Sequence, residues 1–544
     1  MNIQVQIFMI IQKLIANEIK KLFKDQILQA KIGFEVPKNR EYGDLSTTYA
    51  MSLAKDLKKA PTIIAQELTK YLNDSLGEYL EASLLPPGFV NFKLKPLAFT
   101  ETLLSLNSDI LVHPEDQDTE PLLLEFVSAN PTGDLHLGHG RGAVFGSALA
   151  ELQKAVGRKV NTEFYINDAG EQMQKLGRSA WAIYSGIESS SEDYPREMIE
   201  PYLDAIPPNL NQEELTEAVK NNILAKQKNL LKLLRVEYDL WVSEKEDLQA
   251  QGAIEETLKT LSERGLTYEK DGALWLASER LGDERDRVLI KSDNKRPTYL
   301  AGDIAYHLHK LKRFPKVLDV FGADHKGQEL SLKVAMEALG FKADQLEFLF
   351  IQFVSLQEAG QELKMSKRAG NFISVEELLA KVGVDAFRFI MLTSHINNRM
   401  VFDVDVALRA DDQNPVFYVQ YAHARACSIL RNAKELSLSE EGDSFELTKD
   451  SLSDREISTT KDLILKMSFF NDEIHRAAST YNPSGIVHYL LDLSAKFHSF
   501  YNACRVIDEQ KRELSEARLL VIKAFQRIMN LGLKTLLVDA HEKM

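Results

Sequence analysis

The chain has 544 residues, 44% hydrophobic and 27% charged, which is too long for one compact core and predicts three or four domains. No apolar run approaches 18 residues, so nothing reads as a membrane span; Cys427 and Cys504 are too few for a disulfide framework or a four-cysteine zinc site, which fits a reducing cytoplasm. A net charge of −14 speaks against a uniformly basic nucleic-acid coat, although residues 1–60 hold ten Lys or Arg against six Asp or Glu.

The apolar run Ile7–Ile11 follows no basic residue and leads to no small-residue cleavage site, so it reads as helix, with Met9 as an alternative start. An amphipathic helix is predicted over Ile10–Leu28, a second over Ala50–Leu57 and a third after Pro61. In Phe89–Leu94, Phe89, Asn91 and Lys93 alternate with Val90, Phe92 and Leu94, the pattern of a half-buried strand. Residues 1–105 therefore form an α+β unit, and residues 110–120, with Pro114 and the acidic Glu115–Glu120, read as a linker.

Leu122, Leu123, Leu124 and Phe126 then read as a buried parallel strand, ended by the turn Asn130-Pro131-Thr132-Gly133. His136-Leu137-Gly138-His139 opens the helical run Ala143–Val156. Strand, glycine-bearing turn and helix N-terminus make an anion site, because free backbone N–H groups and the helix dipole face the ligand. Two imidazoles three residues apart project to one side, where they can donate to a phosphate whose charge grows in a transition state. Far downstream, Lys364-Met365-Ser366-Lys367-Arg368 with Ala369-Gly370-Asn371 is a basic loop suited to a polyphosphate, although alone it is equally a solvated charge run.

Around these motifs strand-like and helical runs alternate, the doubly wound α/β pattern, interrupted at about 180–280 by a helical, charge-rich insertion. Tyr299 and Asp303 are four apart, on one helical face or across one strand-to-helix turn. His307, His309, Asp324 and His325 match no standard zinc spacing, so no structural metal is expected. From Asn414-Pro415 to Met544 the pattern is helical almost throughout, with a loop at Asp443–Asp454.

With both motifs in view, the chain resembles the class I aminoacyl-tRNA synthetases, whose signatures are His-Ile-Gly-His and Lys-Met-Ser-Lys-Ser. The flanking residues resemble the bacterial arginyl members. They are Glu125 to Gly133, Tyr165-Ile166-Asn167-Asp168-Ala169-Gly170, Gly282-Asp283 through Leu289, Tyr299 to His307, Gly322-Ala323-Asp324-His325, and Asn414 to Arg425. The likeness runs from about Gly33 to the C-terminus. It implies a multidomain α/β protein: a tRNA-contacting N-terminal domain (1–105), a Rossmann-like catalytic domain (106–410) and an all-α anticodon-binding helix bundle (411–544).

The resemblance implies ATP-dependent activation of L-arginine and its transfer to tRNA(Arg), with Mg²⁺ carried by ATP and activation only with tRNA bound; with no obvious coiled-coil seam, a cytoplasmic monomer is the default expectation. It implies catalysis by His136, Gly138, His139, Lys364 and Lys367, and ATP binding by His136, His139, His325, Lys364, Met365, Ser366 and Lys367. Arginine's guanidinium has five donors and no acceptor, so its pocket needs fixed carboxylates and an aromatic face, for which Glu125, Asp303 and Tyr299 are the candidates. Ser128 and Asn130, helped by Asp324 or Gln328, would hold the α-amino end. Competing readings are an edge-strand solvent position for Glu125 and a helix N-cap for Asp303. Tyr418, Tyr421 and His423 either stack on tRNA bases or pack in a core, and Lys55, Lys58 and Lys59 either touch RNA or form a solvated face. The chain between the motifs is too short for a large editing domain, which fits an amino acid that binding alone selects. Ala540-His541-Glu542-Lys543-Met544 resembles the family's Ala-Pro-Glu-Arg-Met tail with two substitutions.

A cysteinyl enzyme would need zinc cysteines, and a glutamyl enzyme a cation facing its substrate. Small-molecule nucleotidyltransferases are shorter and lack the helical C-terminal domain, and a non-catalytic relative would be expected to have lost a motif histidine or lysine.

Overall fold

The structure is a computed structural model that describes residues 10–23, 32–108, 112, 120–188, 190–204, 206–293, 296–363, 374–439 and 452–544. Much of the predicted linker, the Lys364–Arg368 motif and most of the Asp443–Asp454 loop lie outside the described residues.

In the first domain, Ile11, Ile15, Ile19 and Phe23 recur every four residues and form the buried stripe of the helix Ile11–Phe23. A three-stranded antiparallel sheet follows, with Phe89–Leu94 between Leu45–Thr47 and Leu80–Leu85. Val90, Phe92 and Leu94 are buried as their alternation predicts, but so is Asn91, because this is the central strand and Asn91 sits between Ser46 and Ser83 of its neighbours. Pro61 occupies the first position of the helix Pro61–Leu76, where no backbone N–H is needed.

The catalytic sheet has five parallel strands in the order Leu346–Ile351, Lys316–Gly322, Leu122–Phe126, Val160–Ile166, Leu240–Ser243. The chain leaves the central strand Leu122–Phe126 toward one edge and later returns to build the other, so a crevice opens at its C-terminal end, where such sheets bind ligands. Side chains alternate across that strand: Leu122, Leu124 and Phe126 join the core shared with the helix Leu137–Ala155, and Leu123 the core shared with the helix Tyr299–Arg313. Glu125 faces the same way as Leu123. The helix Leu137–Ala155 presses so closely on the sheet that a Cβ at Gly146 would lie 2.2 Å from Phe126 Cγ.

The insertion is smaller than the sequence suggests and not purely helical. Leu240–Ser243 is the edge strand of the main sheet, and Thr267–Lys270, Ala273–Leu276 and Arg287–Ile290 form a separate antiparallel sheet. Four residues of strand flanked by charge carry too little periodicity to be read as sheet without their neighbour. C-terminally, the helices Pro415–Glu435, Asp454–Ser468, Phe470–Ser479, Ser484–Ala503 and Arg512–Thr535 pack together. One apolar core runs from Ile10 through the helix Leu137–Ala155 to Val538, so the N-terminal unit, the sheet and the helical domain share an interior. Among the described residues no helix is long and apolar enough to cross a membrane.

Candidate active site

At the end of the central strand the backbone turns through Val127 (φ 71°) and Ser128 (φ 41°), a conformation that a β-branched residue adopts only when its surroundings force it. The turn aims the Ser128 hydroxyl back at Glu125 Oε1 (2.7 Å), and the same hydroxyl accepts the Tyr165 N–H (3.1 Å). The following loop is braced from the helices Gly170–Ser185 and Gln212–Leu233. Asn130 Nδ2 donates to Gln172 Oε1 (2.9 Å), and Gln227 Nε2 donates to the carbonyls of Asn130 (3.2 Å) and Gly133 (2.8 Å).

His136 caps the helix that begins at Leu137. Its Nδ1 accepts the His139 N–H (3.3 Å) while His139 Nδ1 accepts the His136 N–H (3.2 Å), and the rings stack at 3.6 Å and 20°. Gly138 makes this possible, since a Cβ there would meet the His136 ring at 3.0 and 3.1 Å. Burial lowers both imidazoles, His139 to about 3 with the neighbouring His136 adding to the effect. With both Nδ1 atoms accepting, the proton of each neutral ring sits on Nε2, and the helix start presents two uncharged N–H donors beside its own dipole.

Arg141 ties this helix start to the segment leading toward the lysine motif. It is buried and donates to the carbonyls of Gln352 (2.6 Å), Asn398 (3.0 Å) and His395 (3.1 Å). Beyond Gln352 the strand Val354–Glu358 pairs with Gln361–Leu363, the last described residues before the motif. Lys364, Met365, Ser366 and Lys367 lie outside the described residues, so only the approach to them is defined.

On the other face of the central strand lies a cluster of acids. Glu125 is 1% exposed, on a central strand, so the edge-strand alternative fails. Asp303 is not an N-cap either, because Thr298 caps the helix Tyr299–Arg313 and Asp303 stands in its second turn. Burial pushes Asp303 up to about 6, with His307 and His325 opposing and Glu125 and Glu244 adding to the rise. Glu244 is also raised by burial; it accepts from Tyr165 and Gln249 and approaches within 4.0 Å of the space above Gly302. Tyr165 stacks on Tyr306 at 4.1 Å. Tyr299, 62% exposed, stands at the mouth. Neither Asp303 nor Glu244 has an ion pair among the described residues, whereas Glu125 is met by Lys310 Nζ at 2.7 Å. Two half-buried carboxylates with no ion pair among the described residues, beside Tyr165 and Tyr299, are an arrangement that can meet a cation.

Asp324, His325 and Gln328 lie on the turn after Lys316–Gly322, at the same edge of the sheet. Asp324 and His325 are exposed and 3.6 Å apart. The charge of Asp324 acts on His136 and that of His325 on Asp303, which sets this turn between the two clusters. Among the described residues no group of three or more His, Cys, Asp or Glu is placed to hold a metal ion.

The aromatic candidates of the helical domain separate. Tyr418 lies 5.0 Å from the His498 ring, and Tyr421 stacks on Phe417 at 6.0 Å with the Arg425 guanidinium 4.9 Å from its ring. Both are half-buried. His423 is different. At 1% exposure it bonds the His541 carbonyl through Nδ1 (2.9 Å) and Gln526 through Nε2 (3.2 Å), so the expectation of a base-stacking ring gives way there to the core alternative. Sequence reasoning missed Glu244, Lys310 and Arg141. Lys310 carried a signal, being three residues after His307 and seven after Asp303 on one helical face. Glu244 carried none, because its placement depends on Leu240–Ser243 joining the sheet.

A doubly wound parallel sheet whose crevice opens onto two stacked histidines at a helix start, with a lysine motif downstream, defines a class I aminoacyl-tRNA synthetase. Three family models match: "Arginyl tRNA synthetase N terminal domain" over residues 9–94, "tRNA synthetases class I (R), catalytic domain" over 208–425, and "DALR anticodon binding domain" over 419–544. Arginine–tRNA ligase 1 of Halalkalibacterium halodurans is 39% identical over 529 residues, covering 94% of each chain. The arginine–tRNA ligase of Anoxybacillus flavithermus is 36% identical, covering 97% of this chain and 100% of its own. The arginyl-tRNA synthetase of Thermus thermophilus superposes with a TM-score of 0.77 at 25% identity over 98% of this chain and 100% of that one. The chain belongs to the arginyl-tRNA synthetase family.

Proposed function

We propose that this chain is an arginine–tRNA ligase that uses ATP to form arginyl-adenylate and transfers the arginyl group to the 3′-terminal adenosine of tRNA(Arg). The observation that carries the choice of amino acid is the half-buried pair Asp303 and Glu244 beside Glu125, which has no ion pair among the described residues. A guanidinium supplies the missing charge and five N–H donors to three carboxylates, with Tyr299 closing over it. Ser128 and Asn130 hold the α-amino end, with Asp324 or Gln328.

Arginine's carboxylate attacks the α-phosphorus of ATP and pyrophosphate leaves. Positioning and charge stabilisation do most of the work. His136 and His139 donate Nε2–H to the α-phosphate and the bridging oxygen, and because their rings are held neutral they add hydrogen bonds without a titrating charge near neutral pH. Lys364 and Lys367, with Met365 and Ser366, hold the β- and γ-phosphates, and His325 borders the adenosine. Mg²⁺ enters with the nucleotide and offsets phosphate charge. The 2′-hydroxyl of the terminal adenosine then takes the arginyl group and AMP leaves. On the helical domain, Tyr418 and Tyr421 are the rings that face tRNA.

The test is exchange of labelled pyrophosphate into ATP, with and without tRNA(Arg), comparing arginine with lysine and citrulline. Exchange with arginine alone among the three supports the assignment. Equal exchange with citrulline, which lacks the positive charge, sinks the role given to the carboxylates.

A further inference from the structure

Lys310 is fully buried. Its ammonium lies 2.7 Å from Glu125 Oε2 and 2.7 Å from Asp319 Oδ2, and His307 Nε2 reaches the same Asp319 oxygen at 2.9 Å. His307 is anchored in turn by Nδ1 to the Asp303 carbonyl at 2.6 Å. The network therefore joins the backbone of one pocket acid to the side chain of the other. Glu125 is faced by Lys310, Asp303 and Tyr306 from the helix Tyr299–Arg313, by Asp319 from Lys316–Gly322, by Tyr165 from Val160–Ile166, and by Tyr238 just before Leu240–Ser243. Of these only Lys310 is a cation.

Burial raises the Glu125 carboxyl and Lys310 opposes that rise; with no counter-charge at all, a fully buried carboxylate takes up a proton and becomes a donor, the wrong partner for a guanidinium that has only donors. We propose that Lys310 is a positioning residue for arginine recognition: shared between Glu125 and Asp319, its buried ammonium fixes the Glu125 carboxylate and keeps it an acceptor. The sharing matters. A lysine paired with Glu125 alone would offset that carboxylate more fully and weaken its pull on the substrate, and Asp319 divides the charge. Ser128 holds Oε1 while Lys310 holds Oε2, so the carboxylate presents one orientation.

This rests on the arginine-ligase reading, and the experiment separates the two. Arginine-dependent pyrophosphate exchange is measured with tRNA(Arg) for the wild type, Lys310→Met, Glu125→Gln and the double variant. Expected are a rise of about tenfold or more in KM for arginine in Lys310→Met, with KM for ATP within about twofold, and almost no further rise when Lys310→Met is added to Glu125→Gln. In Lys310→Met the arginine KM also falls as pH rises from 7 to 9, because the lone Glu125 carboxyl must then be ionised by solvent pH, whereas the wild type is flat over that range. If Lys310→Met does not fold, Asp319→Asn asks the same question, since the whole lysine charge then falls on Glu125 and KM for arginine rises several-fold. A variant that loses only thermal stability, with arginine KM and its pH profile unmoved, overturns the proposal, as does a double variant whose effects multiply. Absence of arginine-dependent exchange in the wild type sinks the ligase reading and this inference with it.

Discussion

Lys310 and Arg388 are both completely buried, and they are satisfied in opposite ways. Lys310, inside the catalytic sheet, meets two carboxylates, which hold it protonated against the burial that would otherwise lower it. Arg388, between domains, meets none. It donates to the carbonyls of Leu536 (3.1 and 3.0 Å) and Leu234 (2.6 Å) and to the Ser147 hydroxyl (3.0 Å), and burial lowers it to about 9. The difference follows from shape. A compact ammonium set between acids adjusts the field of a neighbouring pocket, whereas a planar fork of five donors reaches carbonyls on several segments at once. Here the fork joins the histidine-capped helix, the end of the helix Gln212–Leu233 and the start of the C-terminal tail. That tail is held the same way further on, by Arg235 at the Leu537 carbonyl, Gln420 at Asp539, His423 at His541 and Arg431 at Glu542.

If the comparison is right, the two regions break differently. Arg388→Met leaves several buried carbonyls unsatisfied and should lower the unfolding free energy by about 3–5 kcal/mol, read from denaturant midpoints, with KM for arginine unchanged in the folded fraction. Asp303→Asn should do the reverse. It removes a charge made for the substrate, lowering kcat/KM for arginine by about a hundredfold or more, while the melting temperature of the free protein holds or rises.

The same residue sharpens the contrast through pH. Asp303 is raised from 3.8 to about 6, so the folded protein binds more protons than the unfolded chain between those values, and this group's contribution to stability falls as pH climbs through that window. Arginine needs the ionised form. Its thermal stabilisation of the protein should therefore grow from pH 5 to 7, with KM dropping about tenfold as the ionised fraction rises; a flat arginine KM across this range would remove Asp303 from the pocket. The smallest effect belongs to Gly138→Ala. Its new Cβ would crowd the His136 ring at 3.0 Å, and the ring should yield by a few tenths of an ångström. A several-fold loss of kcat in steady-state exchange is expected, with little change in arginine KM or stability.

Which of these residues announced themselves is itself instructive. The run Leu122–Phe126, the two histidines around Gly138, and Tyr299 with Asp303 were legible because each depends on neighbours within a few positions: a short apolar run, a helix start, one helical face. His423 was misleading for the same reason, since a ring at helical spacing reads alike whether its face meets solvent or the last helix. Leu240–Ser243 was too short to show as sheet, and with it Glu244 was lost.

The sequence by itself determined the class of fold, the order of the domains and the histidine-bearing helix start, because strand and helix periodicities and cap chemistry are local. Only the tertiary structure decided which acids stand without a counter-charge. Lys310 reaches Glu125 across 185 residues of chain, while Asp303 and Glu244 have no ion pair among the described residues, and such a balance depends on distances through a buried, weakly screening interior that no local pattern encodes.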